Sequence, residues 1–80
     1  MMEEKIRELT LLLLYLTSWK EKDVFGEEFM RAWKGYDFNV LNDLENERLI
    51  GGSTHKAKST YLTDIGIDKA RELMKKYNID

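Results

Sequence analysis

The chain has 80 residues, 42% hydrophobic and 35% charged, with no cysteine, no proline, and 13 basic against 15 acidic side chains for a net charge of −2. That is the length of one domain, 1–80, and the missing cysteines remove disulfides, thiolate catalysis and sulfur-ligated zinc. The slightly acidic balance argues against a chain that coats nucleic acid or anionic membrane by bulk charge.

Residues 3–18 read as a helix, with strong helix formers throughout and Glu3 and Glu4 at the positive end of the dipole. Ile6, Leu9, Leu12, Leu13, Leu16 and Trp19 recur at helical spacing and make one broad apolar face. Leu11, Leu14 and Tyr15 point elsewhere. A helix that is apolar all round is covered on all sides. In so small a domain the second face meets either the C-terminal helix or another copy of the chain. Leu11, Leu14 and Tyr15 are therefore the candidate residues of a homodimer interface.

In residues 19–36, Phe29, Met30 and Trp33 suit a short helix over about Glu27–Lys34, bracketed by Gly26 and Gly35, with a short extended piece as the alternative. Residues 38–48 form the next helix, with Asp37 as N-cap and Phe38, Leu41 and Leu44 facing inward. Two strands, about Arg48–Gly51 and Ser59–Thr63, pair across the loop Gly52–Lys58. The last helix, about Asp64–Tyr77, is capped by Thr63 or Asp64 and buries Ile67, Ala70, Leu73, Met74 and Tyr77. The longest apolar stretch, Leu9 to Trp19, is interrupted by Thr10, Thr17 and Ser18, whereas a membrane span needs ~20 apolar residues. The acids Glu3, Glu4 and Glu8 stand where a signal peptide is basic. A cytoplasmic location is the expectation.

This order predicts an α+β, winged helix-turn-helix-like domain: three N-terminal helical elements, a β-hairpin wing and a C-terminal helix. The run Leu49-Ile50 followed by Tyr61-Leu62-Thr63-Asp64-Ile65-Gly66 resembles the strand, wing and helix stretch of winged-helix transcription regulators. More extensively, the blocks Leu11–Thr17, Arg31–Phe38, Val40–Ile50 and Lys56–Gly66 are similar to a family of small uncharacterised bacterial proteins. That resemblance implies a winged-helix-like fold and carries no activity with it; residues 19–30 lie outside its blocks.

The residues give little support to enzyme chemistry. The lone His55 sits in a Gly/Ser/Thr/Lys loop and reads as a solvated side chain, and Gly51-Gly52 lacks the lysine and threonine of a phosphate loop. A metal needs three or four convergent ligands, and pairs such as Glu4/Glu8 and Asp68/Glu72 are spaced like solvated helix faces. The expectation is a non-enzymatic chain without metal or cofactor.

Nucleic-acid binding has more to offer. A recognition helix over 38–48 presents Asn39, Asn42 and Asn46, and an asparagine can pair with adenine in a bidentate way. Asp43, Glu45 and Glu47 oppose a polyanion there, answered only by Arg48. From Arg48 to Thr63 there is no acid. Arg48, Lys56 and Lys58, extended by Arg31 and Lys34, are the candidate phosphate contacts. The expected function is a dimeric regulator that contacts the phosphates of double-stranded DNA through the wing. The alternative is a protein–protein interaction module on the same fold. Trp19, Trp33, Tyr36 and Phe38 are expected in the core, with Trp33 sealing the middle segment against the first helix; base stacking is their other use.

Overall fold

Helix α1 (Met2–Leu16) stops where two hydroxyls take over its last carbonyls. Thr17 Oγ1 donates to the Leu13 carbonyl at 2.7 Å and Ser18 Oγ to that of Tyr15 at 2.6 Å, the local bonds by which Ser and Thr compete with helix continuation. The computed structural model describes residues 2–52 and 58–79; Lys56 and His55 lie outside them.

The middle segment is a β-hairpin, not a short helix. Strands β1 (Trp19–Lys22) and β2 (Glu28–Trp33) are joined by a turn organised by Asp23. The Asp23 carbonyl accepts from Gly26 N at 3.0 Å, and its Oδ1 accepts from Phe25 N at 2.8 Å and Glu27 N at 3.0 Å. Gly26 takes φ 81°, a backbone setting that glycine adopts without steric cost. The expected order of three N-terminal helical elements is thereby corrected. Helix α2 (Phe38–Asn46) follows a strand, so the described residues hold no two-helix unit of the helix-turn-helix kind before the second hairpin.

Asp37 caps α2 as expected, its Oδ1 accepting from Asn39 N at 2.9 Å and Val40 N at 3.3 Å. The helix ends in a Schellman arrangement: Arg48 N donates to Glu45 O and Leu49 N to Leu44 O, with Arg48 left-handed at φ 63°. Strands β3 (Ile50–Gly51) and β4 (Ser59–Leu62) make the second hairpin, and α3 (Asp64–Lys76) closes the chain.

The four strands form one antiparallel sheet in the order β1-β2-β4-β3. Strand alternation sorts its two faces. Ala32, Ile50, Thr60 and Leu62 are buried and Met30 is packed against them, together with Leu11, Leu12 and Leu14 of α1, Leu41 and Leu44 of α2, and Ala70 and Leu73 of α3. All three helices therefore cover one face. Buried Thr60 satisfies its hydroxyl on the Gly51 carbonyl at 2.6 Å. Thr63 caps α3 by accepting from Gly66 N at 2.9 Å, and its Oγ1 donates to the Arg48 carbonyl at 2.6 Å. Gly66 is required by close approach, because a Cβ there would run into the Leu49 carbonyl oxygen.

Two expectations for α1 are reversed. Leu11 and Leu14, at 1% and 0% exposed, lie inside the chain against its own elements, so they are not available to a second copy. Tyr15 is half-buried, and its hydroxyl accepts from Arg71 Nε at 3.4 Å. The face expected inward is instead largely outward: Ile6, Leu9, Leu13 and Leu16 are exposed, and only Leu12 of that leucine set is buried.

Glu8, expected on a solvated face, is buried and ties α1 to the end of α3. Its carboxylate accepts two bonds from Lys76 Nζ, at 2.8 and 3.1 Å, and one from the Tyr77 hydroxyl at 2.6 Å. The bond from Lys76, then that from Tyr77, hold its carboxyl below the ordinary value, against the opposing effect of burial. A depressed folded-state value means stability that is complete above the unfolded value, about 4.3 for a glutamate, and lost as pH falls through the folded value. At pH 7 the Glu8→Gln chain should be less stable by about 1–2 kcal/mol. In urea titrations between pH 7 and pH 3, that gap should close toward the acid end; a gap independent of pH contradicts the assignment.

Candidate functional site

The face of the sheet opposite the helices is built by the odd-numbered residues of β2. Phe29, Arg31 and Trp33 alternate with inward Met30 and Ala32, and the register sets Trp19 and Tyr61 across from Arg31 and Glu21 across from Phe29. No helix of the described residues covers this face, and Trp33 is 64% exposed and Tyr61 40%. The aromatic rings form two pairs. Trp19 and Trp33 lie 5.1 Å apart between centroids, and Phe29 meets Tyr61 edge-on at 6.4 Å. The Tyr61 ring rests on the backbone of Gly51, where a Cβ would collide with it.

Arg31 stands among these rings. Its guanidinium carbon is 5.1 Å from the Phe29 centroid, Nη1 donates to Ser59 Oγ at 2.9 Å, and Nε is 3.8 Å from Glu21 Oε1. The hydrogen bond and the ring hold the planar group in place; the ion pair is long and half-exposed, so it adds little. An open depression of about 340 Å³, lined by Asp23, Phe29, Arg31 and Tyr61, occupies this part of the face. Such a surface offers flat apolar area for stacking and one fixed cation.

The expected phosphate contacts are divided by the sheet. Lys34 N donates to the Lys58 carbonyl at 3.1 Å, so the two lysines sit one step past the Trp33–Ser59 pair, in the register of the helix side rather than that of Arg31. Arg48 lies beyond the other end of β4, where Thr63 holds its carbonyl. Lys56 falls outside the described residues. Asn39 and Asn46 are exposed and Asn42 half-buried on α2, a helix packed on the covered side of the sheet, away from the aromatic face. Asp43 and Glu47 on α2 are approached by Arg7 at 3.7 and 3.9 Å. A smaller cleft of about 120 Å³ between the helices is lined by Glu4, Arg7, Glu8, Glu47 and Lys69 together with leucines of the core. Among the described residues no group of three or more His, Cys, Asp or Glu could hold a metal ion.

Trp19 and Trp33, expected in the core, belong to the open face; Tyr36 packs against the core, and Phe38 is partly exposed. Phe29 and Tyr61 were not among the expected site residues. The alternation Phe29-x-Arg31-x-Trp33 is the sequence pattern that places them.

Residues 2–80 match the family described as "Domain of unknown function (DUF6429)". The chain belongs to this family. It is also similar to the uncharacterized protein y4hR of Sinorhizobium fredii (strain NBRC 101917 / NGR234), 35% identical over 74 residues that cover 92% of this chain and 89% of that protein. No solved structure matches. No helix among the described residues of this DUF6429 chain is long and apolar enough to cross a membrane.

One site residue is held against its backbone preference. Arg48 occupies the left-handed position after α2 that glycine usually fills, a setting that costs an L-residue about 1–2 kcal/mol. Arg48→Gly should therefore raise the stability of this DUF6429 domain, by about 1 kcal/mol in urea unfolding. A loss of stability would mean that the exposed guanidinium holds the α2–β3 junction together.

Proposed function

We propose that the chain is a nucleic-acid-binding module that takes a single strand on the open face of its sheet. The observation that carries this reading is the exposure of Trp33 and Tyr61, beside Phe29 and Arg31, on the sheet face that no described helix covers. Aromatic side chains on an exposed sheet stack unpaired bases, at about 1–3 kcal/mol per base. Arg31, fixed by Ser59 among the rings, supplies a cation where the strand's phosphates run. A phosphate displaces Glu21 from Arg31 at small cost, because that pair is long.

The winged-helix reading on duplex DNA has weaker support. It needs α2 in the major groove, and the asparagines of α2 sit among Asp43, Glu45 and Glu47. It also leaves the aromatic face unused. The second reading, a protein-interaction module without nucleic acid, draws its support from that acidic helix and from the exposed leucines of α1.

Titration with a pyrimidine oligonucleotide, followed by tryptophan emission and amide shifts at low salt, tests the proposal. Binding should quench emission, move Phe29–Trp33 and Ser59–Leu62 amides, and weaken about tenfold in Trp33→Ala, in line with one stacked base. One phosphate contact at Arg31 gives log affinity a slope of about −0.7 against log salt for a single strand. Tighter binding to duplex than to strand, with shifts centred on Asn39–Asn46, returns the duplex reading. Flat spectra at millimolar oligonucleotide leave the protein-interaction module.

A further inference from the structure

The depression on the open face carries opposite charges on its walls. Asp23 and Arg31 both line it, together with Phe29 and Tyr61. Asp23 N donates to Glu27 O one step past the last pair of β1 and β2. Asp23 and Glu27 therefore continue the odd-numbered side of the hairpin, where Glu21, Phe29 and Arg31 stand. Lys20, Lys22 and Glu28 take the even-numbered, opposite side. Arg31 and the Asp23–Glu27 pair lie roughly 13 Å apart along β2, with Phe29 midway. The turn holds the carboxylate still. Its Oδ1 accepts from Phe25 N and Glu27 N, and its Oδ2 takes no hydrogen bond from the described residues.

We infer that this depression selects guanine, with the paired N–H donors of the base on Asp23 and the phosphate of the same nucleotide on Arg31. The inference rests on the single-strand reading of the face and names the base that the face prefers. A carboxylate on a surface that takes a polyanion repels phosphate, so this wall admits the donor edge of a base instead. Among the common bases guanine alone sets two donors side by side, N1–H and N2–H2. In thymine and uracil N3–H lies between two carbonyl oxygens. In adenine and cytosine the amino group adjoins an unprotonated ring nitrogen. Those acceptors meet a carboxylate with charge of its own sign, and Glu21 and Glu27 on the same side of the hairpin reinforce the field.

Tyr61 supplies the stacking plane. One side of its ring rests on Gly51, and the residue is 40% exposed. Phe29 stands at 83° to it and already carries the Arg31 guanidinium carbon at 5.1 Å, so a base lying on Tyr61 has Phe29 at its edge.

Tryptophan emission reads binding of oligonucleotides of one length: all thymine, thymine with a central guanine, and the same with hypoxanthine for guanine. The guanine strand should bind about tenfold tighter than the all-thymine strand, the discrimination of one paired base contact. Hypoxanthine keeps N1–H and lacks the amino group, so its strand should bind about fivefold more weakly than the guanine strand. Asp23→Asn keeps an oxygen acceptor for the turn and sets an amide donor in place of Oδ2. It should bring the guanine strand down to thymine affinity and leave the thymine strand unchanged. If that variant loses its native circular dichroism, the hypoxanthine strand still decides, because it alters only the ligand. Free guanosine 5′-monophosphate should bind about tenfold more weakly than the guanine strand, having no neighbouring base for Trp33; equal affinity overturns the strand as the source of the base. Equal affinity for all the strands overturns the guanine inference and leaves strand binding standing. Absence of binding to every strand overturns both.

Discussion

The rotation of α1 about its own axis is the setting on which the rest of the molecule depends. The helix is apolar nearly all round, so hydrophobicity alone does not choose which side goes in. Polar partners add what the leucines lack. Glu8 can reach Lys76 and Tyr77 only when Leu11 and Leu14 point toward α3, and the carboxylate, ammonium and phenol then satisfy one another. Turned the other way, Glu8 would return to solvent and lose those three bonds, so the polar partners favour the observed rotation. Once α1 is turned this way, Ile6, Leu9, Leu13 and Leu16 face outward as a consequence.

The same economy shapes the sheet. Its inward positions are small or aliphatic (Ala32, Thr60, Leu62, Ile50), which lets three helices share one face around a single core. No helix among the described residues covers the other face, so the bulky residues of β2 and its neighbours remain on the outside. There they are held in pairs, Trp19 with Trp33 and Phe29 with Tyr61, and Arg31 is fixed between ring and hydroxyl. A surface already ordered in this way loses little side-chain freedom when a flat ligand docks. That is the physical basis for regarding it as a binding face rather than as core material left exposed.

Much of the fold was legible in the sequence. The cap at Asp37, the inward Leu41 and Leu44, the second hairpin and the inward face of α3 all follow from local rules that the structure obeys. The middle segment did not follow, for a specific reason. Phe29, Met30 and Trp33 fit a helical period, and Gly26 fits a helix boundary, but Asp23 and Gly26 also stand at the first and fourth positions of a tight turn, where those residue types are favoured. Pairing with β4, a contact far away in sequence, decides between the two, and no local pattern reports it. The rotation of α1 was hidden for a related reason, since the partners of Glu8 lie some seventy residues further along the chain. Missing the first hairpin hid the site, because aromatics read on a helix pointed to the core.

Adjacent leucines of α1 offer the most direct test of that rotation. Leu14 is fully buried, whereas Leu13 beside it is 47% exposed. Urea unfolding of the two alanine variants should show Leu14→Ala losing about 3–5 kcal/mol and Leu13→Ala losing about 1 kcal/mol or less. The reverse order would place the other face of α1 in the core, and would remove the account of Glu8.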